Sequence, residues 1–98
     1  MQRRQILKVI GANIRKARLR ANITQEGLAE MIDIHWKTLG YIEVGKRDFG
    51  ASILAKIVLS LKIPLNQVLD GVFLGNKENL SVIAKATTRK RAVSLPHK

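Results

Sequence analysis

The stretch TQEGLAEMIDIHWKTLGYIEVGKR, Thr24 to Arg47, decides how this chain folds. Thr24 is followed by Gln25 and Glu26 and then by Leu28, Ala29, Met31 and Ile32. That order reads as a helix over residues 25–32, with the Thr24 hydroxyl satisfying free amides at its start. Asp33 comes where the chain must turn sharply, and Asp is among the few non-glycine residues that tolerate a left-handed backbone. Ile34 then anchors a second helix, with His35 as its N-cap and Leu39 and Ile42 as its buried face, ending at Gly45. Trp36, Lys37, Gly40 and Tyr41 are left facing away from the core.

On the N-terminal side, Ile6, Ile10, Ile14, Ala17 and Ala21 step by three or four, which is one stripe of a first helix, with Lys8, Arg15, Lys16 and Arg20 off it. On the C-terminal side a loop over 46–50 leads to a further helix with Ile53, Leu54, Ile57, Val58 and Leu61 as its apolar face. Pro64 opens a short helix over 65–69, closed by Gly71. Beyond it the composition shifts. Leu80, Ile83, Ala84 and Thr87 suit a sixth helix over 77–91, N-capped by Asn76, ahead of a frayed basic tail, although the run from Leu80 to Ala84 also reads as a strand. The expected organisation is an all-α domain over 1–71 with five compact helices, followed by a basic extension over 72–98.

Composition narrows the function. The 98 residues carry 18 Lys and Arg against 7 Asp and Glu, a formal net charge of +11, which calls for a polyanionic partner. Residues 1–71 hold +6 of this (twelve basic, six acidic) and residues 72–98 hold +5 (six basic, one acidic). Hydrophobic residues reach 46%, enough to build a core, so the chain is not a disordered polycation. There is no cysteine, which excludes disulfides, thiol catalysis and cysteine-ligated metals and fits a cytoplasmic setting. Residues 1–20 have seven basic groups and no acid, as transit peptides do, but they run unbroken into the helical pattern, so a basic first helix is the preferred reading. Lys56, Lys62 and Pro64 break the longest apolar stretch, and no membrane role is expected. His35 and His97 stand in unrelated contexts, Ser52 and Ser60 have no neighbouring base, and no phosphate loop or paired carboxylates occur. No enzyme, metal site, cofactor or small-molecule ligand is therefore expected.

A tight helical pair whose second member ends in Glu43 and a Gly45-Lys46-Arg47 loop is hard to explain by core packing alone. From Ile10-Gly11 to Gly71, about two thirds of the chain, the sequence resembles the Cro and phage-repressor (XRE-like) type of helix-turn-helix DNA-binding domain. The residues that carry the likeness are Arg18, Thr24-Gln25, Leu28-Ala29-Glu30, Ile34, Leu39, Ile42-Glu43, Gly45-Lys46-Arg47 and the segment from Leu61-Lys62-Ile63 to Leu69. The resemblance implies that the second helix of the motif lies in the major groove, where each base pair presents its own donor and acceptor pattern. It makes Trp36, Lys37, Thr38, Tyr41 and Arg47 candidate base readers, and Gln25, His35 and Lys46 candidate backbone contacts. Trp36 keeps an alternative reading as an aromatic half tucked against the domain, Tyr41 as a phosphate contact, and Gln25 as an exposed polar residue. The family pairs Arg18 with Glu43 across helices, which makes both structural here.

Ile34-His35, Ile42-Glu43 and Gly45-Lys46-Arg47-Asp48-Phe49 also resemble the controller proteins of restriction–modification systems, small dimeric regulators of their own promoter that activate and repress. Trp36-Lys37-Thr38 stands where that group often has Arg-Thr-Tyr, which implies a different operator. Gly27, Asp33, Gly40 and Gly50 depart from the broad family's commoner residues, and Gly40 reads either as close backbone approach to DNA or as drift. The implied partners are double-stranded operator DNA, a second copy of the chain and, as a further candidate, RNA polymerase. A homodimer reading half-sites about 34 Å apart is expected, with Leu65, Val68, Leu69, Phe73 and Leu74 as its contact or, alternatively, as core. An antitoxin-like or partner-binding protein and a phage-type repressor are the alternatives.

Overall fold

The computed structural model describes residues 1–74, which form five α-helices and no strand. These are α1 (Arg3–Arg20), α2 (Gln25–Met31), α3 (Trp36–Glu43), α4 (Ala51–Leu61) and α5 (Leu65–Val68). The helix expected over 77–91 and the basic tail lie outside the described residues.

The starts of α2 and α3 are fixed by side chains. Thr24 Oγ1 accepts from the Gly27 amide at 3.0 Å, and His35 Nδ1 accepts from the Lys37 amide at 3.1 Å. Each satisfies an amide that has no partner within its helix.

Four helix ends share one chemistry. In each, a residue with left-handed backbone follows the last turn: Asn22 (φ 58°), Asp33 (φ 59°), Gly45 (φ 78°) and Lys62 (φ 56°). The next residue donates its amide back to a carbonyl five residues earlier: Ile23 to Arg18, Ile34 to Ala29, Lys46 to Tyr41 and Ile63 to Val58. This is the Schellman arrangement, and its usual apolar contact is supplied three times by the isoleucine, each half-buried against the core. The sequence reading anticipates the turn at Asp33. It misses Asn22 and Lys62, where the left-handed geometry is held by the following isoleucine.

That arrangement corrects two expectations. Ala21 is not part of the α1 stripe, because it caps the helix and is exposed, and Ile23 takes the inward place. Met31 is 53% exposed, since α2 buries the arc of Leu28, Ala29 and Ile32. The core is built from Ile14, Leu28, Ile32, Leu39, Ile42, Ile57 and Val68, all with side chains wholly out of water. Val68 thus serves the protomer's own core, and the expectation that it lines a dimer contact is withdrawn.

Two glycines let α1 touch the end of α3. A Cβ on Gly11 would run into the Ile42 carbonyl oxygen and lie 2.7 Å from that of Glu43. A Cβ on Gly45 would lie 2.6 Å from the Lys8 Cα. Elsewhere on α1 the Asn13 amide donates to the Val68 and Asp70 carbonyls at 2.7 and 2.8 Å, fastening α5 to α1. The result is a bundle in which α3 is backed by α1 and α2 and keeps one face to solvent.

Candidate nucleic-acid interface

α3 is fixed from behind by a buried polar cluster. Arg18 donates to Glu43 twice, from Nε to Oε2 at 2.7 Å and from Nη2 to Oε1 at 3.1 Å, while its Nη1 donates to the Ile23 carbonyl at 2.8 Å. The two side chains are only 8% and 1% exposed. Gln25 Nε2 donates to Glu43 Oε1 at 3.1 Å, so the first residue of α2 is tied to the last residue of α3. No buried side-chain polar atom of the cluster lacks a partner, which is the condition under which buried charge is tolerated. The cluster sets the position of α3 against α1 and α2 at once.

The outward face of α3 carries Trp36, Lys37 and Tyr41, all exposed, with Thr38 half-buried at its side. Trp36 is 45% exposed and stacks against the His35 ring, centroids 5.9 Å apart, while Lys37 Nζ sits 5.8 Å from its ring centre. The indole therefore packs against its own sequence neighbours beside the start of α3. A shallow groove runs along this face between Trp36, Lys37, Gly40, Tyr41, Val44 and Lys46. A Cβ on Gly40 would meet the Gln25 amide at an ordinary 3.7 Å, so the protein itself does not require glycine there. Lys46 and Arg47 continue the face as an exposed basic loop.

The geometry brings together Trp36, Lys37, Tyr41 and Lys46, and adds Val44, 54% exposed, which the sequence reading leaves aside. Gln25 is half-buried with its amide nitrogen committed to Glu43. Leu65, Leu69, Phe73 and Leu74 are exposed well away from α3 in sequence, and Leu59 on α4 is 75% exposed. Among the described residues no group of three or more His, Asp or Glu could hold a metal ion, and no helix is long and apolar enough to cross a membrane.

The fold is shared with known proteins. The fold matches the restriction-modification controller protein C.AhdI from Aeromonas hydrophila with a TM-score of 0.61 and 24% identity, over 63% of this chain and 94% of that one. It matches the clp gene regulator ClgR from Corynebacterium glutamicum with a TM-score of 0.63 and 25% identity, over 65% of this chain and 82% of that one. A hypothetical transcription factor, NHTF from Neisseria, matches with a TM-score of 0.62 and 21% identity, over 84% and 90% of the two chains. A comparison with curated protein sequences finds no match. The helix-turn-helix family model matches residues 14–68, from the middle of α1 through α5 and over more than half of the chain. With its tight α2–α3 pair, its buried Arg18–Glu43 tie and that match, the chain belongs to the helix-turn-helix family of the XRE, Cro-like type.

Proposed function

We propose that this protein is a sequence-specific transcription regulator that binds double-stranded DNA as a homodimer and controls its own promoter within a restriction–modification system. The observation that carries the DNA-binding reading is the exposed face of α3, with Trp36, Lys37 and Tyr41 running into Lys46 and Arg47 over a buried, fully bonded polar cluster. A rigid helix with polar and aromatic groups on its free side suits the major groove, and the basic loop beyond suits phosphates. The controller role is supported by the resemblance in the Ile34-His35 and Gly45 to Phe49 segments, and by a fold shared with a protein of that role.

Lys37 and Thr38 read bases, Lys37 by donation to guanine O6 or N7. Trp36 and Tyr41 press on bases and sugars, and Arg47 reaches a base edge from the loop. Lys46, His35 and the free Oε1 side of Gln25 lie toward the backbone, where Lys46 adds affinity without sequence preference. Gly40 leaves the floor of the α3 groove at backbone level, which admits a close approach of DNA. Leu65, Leu69, Phe73 and Leu74 supply the apolar surface for pairing two protomers. In this role the protein acts without catalysis, metal or cofactor.

The test is binding to duplex from immediately upstream of the gene and to a scrambled duplex across a salt series. Lys37→Ala is expected to lose about 1–3 kcal/mol of discrimination between the two. Lys46→Ala is expected to weaken both alike and to reduce the salt slope by about 0.9. Equal binding of wild-type protein to both duplexes would defeat the sequence-specific reading.

A further inference from the structure

A second groove opens on the far side of the loop that leaves α3. Gln2 and the first two turns of α1 form one wall with Arg3, Arg4 and Lys8, and Lys46 and Asp48 form the other. It is open to solvent and of about 970 Å³, room for a stretch of sugar–phosphate chain. Four of its side chains are basic, and among its lining residues Asp48 is the single acid. Asp48 is engaged, since Oδ2 accepts from Arg3 Nε at 3.2 Å and from Nη2 at 3.1 Å. Arg4 and Lys8 stand four residues apart, on one side of the helix, and both are exposed. Among the described residues neither has an ion-pair partner.

This basic wall is held against the proposed reading surface. Gly45 brings the loop onto α1 at backbone level, for a Cβ there would lie 2.6 Å from the Lys8 Cα and 2.8 Å from its amide nitrogen. Lys46, the next residue, lines this groove and also the groove along α3 with Trp36, Lys37 and Tyr41. The two grooves are therefore neighbours across one lysine. The family match begins only at residue 14, so Arg3, Arg4 and Lys8 lie outside it.

Resting on the DNA-binding reading above, we infer that the first two turns of α1 are a second backbone site, where Arg4 and Lys8 hold phosphates that flank the bases read by α3. Charge complementarity and continuity through Lys46 identify the occupant as the same duplex. Arg3 is positioned by Asp48 at the rim. The contact carries no sequence information, so it lengthens the footprint and raises affinity on any duplex.

The test uses the full chain and a scrambled duplex, with affinity measured from about 50 to 200 mM salt. Arg4→Gln with Lys8→Gln keeps the side-chain stems and removes both charges. Loss of two phosphate contacts at about 0.9 each makes the salt slope shallower by about 1.8, a salt-induced loss about twelvefold smaller over that range. Arg4→Lys with Lys8→Arg is expected to bind like the wild type. Lys56→Gln with Lys62→Asn, which removes two charges that line neither groove, is expected to leave the slope unchanged. If the Gln pair leaves the slope as it was, or if the distant pair shifts it equally, the second site is wrong while the DNA-binding reading stands. If the wild-type protein binds no duplex, both fall together.

Discussion

Glu43→Ala is expected to cost about 3–5 kcal/mol, a large part of the stability of a domain of this size. The reason is what remains behind. Arg18 would keep its charge in a site where its side chain is 8% exposed, with the Ile23 carbonyl as its one remaining partner. Gln25 would lose its acceptor as well. Replacing both charges, as Arg18→Met with Glu43→Leu, removes the buried-ion problem, and the double variant is expected to be more stable than either single one. It should stay below the wild type, because the Gln25 amide and the Ile23 carbonyl lose partners that the apolar pair cannot supply. Urea unfolding followed by circular dichroism measures all four proteins. A Glu43→Ala midpoint close to the wild type would mean that the pair is solvated in solution and does not fix α3.

Gly11→Ala is the second large effect, expected near about 3 kcal/mol, the upper part of the range for overpacked sites. The added methyl meets backbone, the carbonyl oxygens of Ile42 and Glu43, so no side-chain rotation can make room. Either α1 moves away from α3 or the last turn of α3 unwinds. Both responses disturb the helix that carries Trp36, Lys37 and Tyr41, so the variant is expected to lose discrimination between duplexes even under conditions where it remains folded. The measurements are the denaturation midpoint together with the affinity ratio for upstream and scrambled duplex. Wild-type values for both would show that the α1–α3 spacing is softer than the packing implies.

The fold was legible where local chemistry decides it. Thr24, Asp33 and His35 sit at caps and turns whose backbone demands few residue types, and those demands can be read without knowing what lies across the bundle. The apolar arcs of α1 and α4 follow from helical period alone. What escaped the sequence depends on neighbours distant in the chain. Gln25 reads as a candidate backbone contact, or else an exposed polar residue, and its tie to Glu43, 18 residues on, shows only when the fold brings the two together. Asn13 becomes a clamp only when the end of α5 arrives. Val68 could be core or surface with equal chemical sense, and in the fold its side chain is buried while Asn13 holds its carbonyl. Asn22 and Lys62 had a readable signal, an isoleucine following a residue that ends an apolar period, repeated at Asp33-Ile34.

The candidate surface was legible in composition and less so in arrangement. The basic excess and the motif pointed to α3 and its loop, but the proximity of Arg3, Arg4 and Lys8 to Lys46 needs Gly45 pressed against Lys8, a contact 37 residues apart in sequence. Gly45 reads as a helix stop from sequence alone. In the structure it is also the point that joins two basic walls.

The most direct measurement of the central claim, that α3 reads sequence in the major groove, is enrichment of binding sites from a pool of randomised duplexes, by the wild type and by Lys37→Ala. The account predicts an enriched inverted repeat with half-sites about 34 Å apart, and a changed base preference at the position facing Lys37 in each half-site for the variant. A pool that emerges unenriched, with all duplexes bound alike and ever more tightly as salt falls, would contradict it.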